Sequence, residues 1–262
     1  MTWVLGKPFV QDYALIIADV CVTLETESGT KEYDDCLLKI HNISQSNGLM
    51  VGFSGDVENA FKIIDDMRRV ASEFALKTKS AQFDVLDFVQ EWRKYVDDTG
   101  KHKYEDTPES GVHMLIAGNH TSKNSGGDKH PHCSVYQLKS PDYRPMPIHP
   151  FFWHHIGSGS GMEVCKSIVD EISNDVRVRL AAIDSTPEKY IEFLVPKIST
   201  LLENELKEDG VSPQLTIGIS TPGSTVSAVT YSVDKPLPKL AASFEELQAR
   251  FKNTSAKARF RA

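Results

Sequence analysis

The chain opens with apolar runs broken by short polar stretches. Residues 2–5 and 13–24 are rich in β-branched and aliphatic side chains and predict strands, with Gly6, Lys7 and Pro8 as a turn between them. Residues 27–30 predict a second turn. Residues 37–43 and 49–53 predict two more strands, joined through Asn47-Gly48, a pair that tolerates the positive φ of a tight turn. After Gly55 the period changes. Val57, Ala60, Phe61, Ile64, Met67, Val70 and Ala71 recur at helical spacing, and Phe83, Leu86, Val89, Trp92 and Val96 mark a second helix ending near Gly100. Residues 100–111 predict a loop, 112–117 a short buried strand and 118–132 a surface loop. Residues 133–138 and 147–156 predict strands, the second made irregular by four prolines between 141 and 150. Residues 162–172 predict a helix, and Pro187 opens another that runs to about Leu206. Residues 215–220 and 226–233 predict a last hairpin around Thr221-Pro222-Gly223.

Strand runs and helix runs are therefore segregated. That order predicts an α+β chain rather than an alternating parallel one, and two antiparallel-rich sheets between helix pairs would satisfy it. No internal repeat is visible.

Composition adds little to this picture and charge adds more. Of the 262 residues 40% are hydrophobic and 25% charged, the balance of a globular protein that can bury a sizeable core. The net charge of −7 argues against nucleic acid as a partner, because phosphate binding needs concentrated positive charge. The charge is uneven: residues 235–262 carry net +5 and the rest −12. This divides the chain into a domain over residues 1–234 and a basic C-terminal extension over 235–262, read as solvated or as docked on an acidic face of a neighbouring subunit. Four cysteines outside any Cys-x-x-Cys pair read as reduced thiols. The first residues lack the charge and apolar pattern of a signal peptide, and no stretch approaches the ~20 apolar residues of a membrane span. A soluble, cytoplasmic protein without membrane partners is expected.

Thr2 is the first candidate for chemistry. Removal of Met1 would leave a free α-amine beside its hydroxyl, a nucleophile carrying its own base, since an α-amine titrates near ~7.7–8.0. Five further groups follow in order. Ile16-Ile17-Ala18-Asp19 is an apolar strand ending in an acid, and Lys39-Ile40-His41-Asn42-Ile43 is a strand led by a lysine. Val51-Gly52-Phe53-Ser54-Gly55-Asp56 runs into a helix, as does Ile156-Gly157-Ser158-Gly159-Ser160. Asp209-Gly210-Val211-Ser212 precedes the last hairpin. In this order and on these elements, the chain resembles the proteasome β-subunit family of N-terminal nucleophile hydrolases, which includes the bacterial heat-shock proteasome-like peptidase. With only Met1 ahead of Thr2, it is more similar to the bacterial peptidase than to the eukaryotic subunits.

The resemblance implies a four-layer αββα sandwich and threonine-type peptide-bond hydrolysis without a cofactor or metal. It implies Thr2 as nucleophile, Lys39 near its hydroxyl, and Asp19 paired with Lys39. It also implies the Gly52 N–H as donor to the oxyanion, with Ser158, Asp209 and Ser212 as a hydrogen-bonded shell around the amine. It further implies peptide or unfolded protein as substrate, a homo-oligomeric ring with inward-facing sites, and room for an unfoldase ATPase partner. A catalytically inactive ring scaffold and a small-molecule amidase of the same fold are the alternatives.

Other patterns compete. Gly157 to Gly161 also fits a phosphate-cradling loop before a helix, but Cys165 stands where a P-loop needs glycine. His130, His132 and Cys133, with His120, match no common zinc spacing. His154 and His155 read as packing around a strand. The chain departs from the family at Pro213 and Gln214, where two glycines are usual. It departs again in a longer, proline-rich 118–150 segment and in the basic tail.

Overall fold

The computed structural model describes residues 2–9, 12–25, 31–80, 82–99, 111–123, 129–175, 186–205, 211–222, 224–231, 239–251 and 259–262. Their fold is α+β. Thirteen strands and five α-helices are found among the described residues, and the strands form three antiparallel sheets.

The first sheet joins β1 (Val4–Phe9), β2 (Tyr13–Asp19), β10 (His154–Ile156), β11 (Leu215–Thr221) and β12 (Ser224–Tyr231), in the order β10-β1-β2-β11-β12. The second joins β5 (Ile40–Ser44), β6 (Leu49–Ser54), β7 (His113–Lys123), β8 (Lys129–Lys139) and β9 (Met146–Pro147), in that order. A small third sheet sets β3 (Cys21–Glu25) between β13 (Arg259–Arg261) and β4 (Lys31–Asp35).

Three apolar clusters hold these parts. Val4, Ile16, Ile40, Met50 and Leu115 are fully or almost fully buried in one cluster drawn from both five-stranded sheets. Helices α1 (Val57–Thr78) and α2 (Val85–Asp98) bury Phe61, Ile64, Met67, Phe88 and Trp92 with Val51 and Phe53 of β6. Helices α3 (Glu163–Asn174) and α4 (Pro187–Glu205) bury Ile168, Ile172, Tyr190, Leu194 and Ile198 with Leu5, Leu15 and Ile217. Each such side chain contributes roughly 1.5–3 kcal/mol on leaving water. No helix among the described residues is long and apolar enough to cross a membrane.

The helices start where their sequences supply caps. Asp56 accepts the Asn59 N–H at 2.9 Å ahead of α1, and Asp84 accepts the Leu86 N–H at 2.7 Å ahead of α2. Asp84 also takes the Thr121 N–H and meets His120 Nδ1 at 2.8 Å, which ties α2 to β7.

Several elements differ from those the sequence predicts. Gly6, Lys7 and Pro8 lie inside β1 rather than in a turn. Gly6 packs closely there: a Cβ would lie 2.8 Å from Leu115 Cδ1 across the sheets. Pro8 is tolerated because β10 pairs only with Val4, Leu5 and Gly6, so β1 is an edge strand at that point. The predicted strand over 13–24 is divided at Val20 into β2 and β3, and β4 has no counterpart in the sequence reading. Residues 118–123 and 129–132 continue β7 and β8, paired out to Lys123 and Lys129, rather than forming a loop. The predicted turn over 27–30 overlaps residues 26–30, outside the described residues.

The described parts of the tail are not a solvated extension. Ala241, Leu247, Phe260 and Ala262 are buried in the same cluster as α1 and α2. Helix α5 (Phe244–Arg250) starts at Ser243, which accepts the Glu246 N–H at 3.2 Å while Glu246 accepts the Ala242 N–H at 2.7 Å.

Candidate active site

Strands β1 and β2 lie side by side, so the residue before β1 and the residue ending β2 meet. Trp3 and Asp19 fix that meeting twice: the Asp19 N–H donates to Trp3 O at 3.2 Å, and the Trp3 N–H donates to Asp19 Oδ1 at 2.7 Å. The Cys21 N–H donates to Asp19 Oδ2 at 3.0 Å, which is why the chain turns from β2 into β3 at this acid. Trp3 is also held at its ring, where Nε1–H donates to His155 Nδ1 at 3.2 Å. Burial lowers the His155 pKa and so favours the neutral ring, whose Nδ1 accepts from Trp3.

Lys39 comes in just ahead of β5, its carbonyl accepting the Phe53 N–H at 3.1 Å. Its ammonium lies 2.9 Å from Asp19 Oδ1 and 3.5 Å from Thr2 Oγ1. Thr2, Asp19 and Lys39 are all 0% exposed. Burying two charges costs several kcal/mol per ion, and a well-packed apolar pair would commonly be at least as stable. The Asp19–Lys39 pair is therefore poorly explained as a device for stability. It does direct positive charge at a hydroxyl.

The segment Gly157-Ser158-Gly159 wraps the backbone of Thr2. The Thr2 N–H donates to Ser158 Oγ at 3.0 Å, and the Gly159 N–H donates to Thr2 O at 2.9 Å. Gly157 has φ +97°, and a Cβ there would lie 2.4 Å from Thr2 O, so only glycine fits. These glycines cradle a threonine backbone, which accounts for them without a phosphate.

A cavity of about 410 Å³ opens beside Thr2, with Ser54, Gly55, His113, Ser158 and Arg261 among its lining. Gly55 has φ +106°, and a Cβ there would lie 2.3 Å from Gly111 O. Its N–H donates to Ala262 O at 2.5 Å.

Thr2, Asp19, Lys39 and Ser158 are thus brought together, and two other predicted positions are not part of that group. Gly52 sits within β6 opposite Ile40 and Leu115, and a Cβ there would lie 2.7 Å from Ile16 Cγ2 in the intersheet core. Of the two glycines in Gly52-Phe53-Ser54-Gly55, it is Gly55 that lines the cavity. Ser212 is almost fully buried and hydrogen-bonds the Asp35 carboxylate and the Gln214 N–H, the latter at 3.0 Å. Burial raises the Asp35 carboxyl, with the nearby Asp19 and Lys39 charges acting in opposite directions. Ser212 is therefore linked to the ion pair through Asp35, whose carboxyl feels both of its charges. Asp209 lies outside the described residues. Pro213 is accommodated, its carbonyl accepting the Ser199 hydroxyl at 2.7 Å.

The cysteines do not add a nucleophile. All four are buried free thiols; burial pushes Cys21, Cys36 and Cys165 up to about 12 and Cys133 to about 11. His120 and His132 meet edge to face at 4.8 Å, while Cys133 turns away to Ser220 O at 3.3 Å. Among the described residues no group of three histidines, cysteines or carboxylates could hold a metal ion. No protein-family model matches the chain, and no curated protein matches its sequence.

Proposed function

We propose that this chain is a threonine-type peptidase of the N-terminal nucleophile class, built on that class's four-layer αββα sandwich. The observation that carries the reading is the Lys39 ammonium, held by Asp19 at 2.9 Å and set 3.5 Å from the Thr2 hydroxyl in a fully buried cluster.

Cutting the peptide bond before Thr2 frees an amine at the nitrogen that already faces Ser158 Oγ. That amine takes the hydroxyl proton as Thr2 Oγ1 adds to a substrate carbonyl carbon. The Lys39 charge favours the oxygen as it becomes anionic. The Gly55 N–H receives the carbonyl oxygen of the tetrahedral intermediate. The C–N bond then breaks, the proton passes to the departing amine, and an ester remains on Thr2. Water, deprotonated by the same amine, splits the ester and restores the hydroxyl.

The test is hydrolysis of a fluorogenic peptide library by the purified protein. Turnover that disappears in Thr2→Ala and falls roughly 10²–10⁴-fold in Lys39→Ala supports the reading. Turnover retained in Thr2→Ala defeats it. The reading carries with it a homo-oligomeric ring, peptide or unfolded protein as substrate, and a cytoplasmic setting. Light scattering checks the ring, which predicts a particle several times the mass of one chain.

A further inference from the structure

The three-residue strand β13 occupies an unusual place. It pairs antiparallel with β3, Arg259 opposite Glu25, Phe260 opposite Leu24 and Arg261 opposite Thr23. Beyond it the same segment crosses to the turn before α1. Ala262 N–H donates to Gly55 O at 2.8 Å and Gly55 N–H donates to Ala262 O at 2.5 Å, two backbone bonds that set Arg261 antiparallel to Asp56. The segment thus spans two walls, the edge of β3 and the Gly55 turn, by backbone hydrogen bonds. Arg261 and Ala262 line the cavity that Thr2 lines.

Its side chains alternate as a strand requires. Phe260 is buried in the main core, its ring 5.9 Å from that of Phe244 and 5.5 Å from that of Phe251. Arg261 turns the other way, its Nε 3.6 Å from Glu25 Oε2.

We propose that the edge of β3 and the Gly55 turn form an acceptor groove for an extended peptide, and that residues 259–262 fill it as the chain's own competing occupant. The ligand class is an extended peptide presenting an aromatic side chain to the core and a basic one to Glu25, added as an extra strand. The proposal rests on the peptidase reading only for what happens after binding. Ala262 O holds the Gly55 N–H that a substrate carbonyl would need, so the segment blocks both the groove and the donor while it is in place.

The test separates binding from chemistry by working in Thr2→Ala chains. The probe is a fluorescein-labelled peptide with the sequence of residues 258–262, Ala-Arg-Phe-Arg-Ala, read by anisotropy. A chain lacking residues 252–262 should bind it at least about tenfold tighter than the full chain, because a tethered strand competes at an effective concentration on the order of mM. Replacing phenylalanine by aspartate in the probe should abolish binding. Equal binding by the two chains, or none by a truncated chain with native near-ultraviolet circular dichroism, overturns the proposal. Truncation also removes buried Phe260, so Ala262→Pro is the second variant: it deletes the N–H given to Gly55 and keeps the aromatic anchor. Should the truncated chain unfold, Ala262→Pro decides: tighter probe binding supports self-occupancy and unchanged binding overturns it. Failure of Thr2 to form a covalent adduct would defeat the peptidase reading and leave these binding results standing. An active Thr2 with no groove for the probe would defeat self-occupancy alone.

Discussion

The Lys39 ammonium lies 3.5 Å from the Thr2 hydroxyl, and both side chains are wholly buried. The pairing depends on Asp19, which accepts from Lys39 and from the N–H groups of Trp3 and Cys21. One carboxylate therefore fixes the residue after the threonine, the turn into β3 and the lysine. Lys39→Ala should lower turnover roughly 10²–10⁴-fold and also destabilise the fold by about 3–5 kcal/mol, because it strands a buried charge. Lys39→Met combined with Asp19→Asn should recover part of that stability and none of the activity. Denaturant unfolding alongside a peptide assay checks both. Full stability in Lys39→Ala would mean that Asp19 does not need its partner.

Two glycines in one short segment should behave differently. Gly55→Ala forces a Cβ against the Gly111 carbonyl at a positive φ, which disturbs the turn whose N–H is given to Ala262 O. It should cost about 1–3 kcal/mol and lower kcat by roughly 10²-fold or more. Gly52→Ala presses on Ile16 and Val4 and should cost about 1–3 kcal/mol by overpacking, with the remaining folded protein fully active. Reversed activity effects would return the oxyanion role to Gly52.

This pair also shows what the sequence could and could not yield. Thr2, Asp19, Lys39 and Ser158 were legible because each stands at a strand end or a loop tip, in chain order, with an apolar run to place it. The glycines were ambiguous, because Gly52-Phe53-Ser54-Gly55 offers two, and only the register of β6 against β5 and β7 turns one into the core. Strand β4, Lys-Glu-Tyr-Asp-Asp, gave no signal because it is largely exposed and held through its pairing with β3. The outer parts of β7 and β8, residues 118–123 and 129–132, are likewise polar, with no apolar alternation to mark them. In the tail, the run of positive charge masked the few apolar residues that dock.

Those tail residues give a stability prediction. Leu247 is fully buried against the cluster of α1 and α2. Leu247→Ala should cost about 2–5 kcal/mol, the usual range for such a cavity. Denaturant titration measures it, and a cost under ~0.5 kcal/mol, typical of surface sites, would restore the solvated extension.

His41 sets a pH dependence. It is buried between Phe53 and Phe61, with Nε2–H given to Leu38 O at 2.9 Å. Burial lowers it from 6.5 to about 4. Unfolded chains therefore bind a proton that the folded chain refuses between those values, so stability falls as pH drops from about 6.5 to about 4, by roughly 3 kcal/mol at most. His113, His154 and His155 are also lowered by burial and add in the same direction. His41→Gln should flatten the slope between pH 4.5 and 6.5 without removing it. An unchanged slope in unfolding free energy against pH would show that His41 titrates normally.

The most direct test of the central claim is the intact mass of the purified protein before and after treatment with a threonine-directed covalent peptidase inhibitor. The purified chain should begin at Thr2 and gain one adduct, with no adduct on Thr2→Ala. A chain that retains Met1 and gains no adduct would contradict it, and would mean that the Thr2–Lys39–Asp19 cluster does not act as a nucleophile.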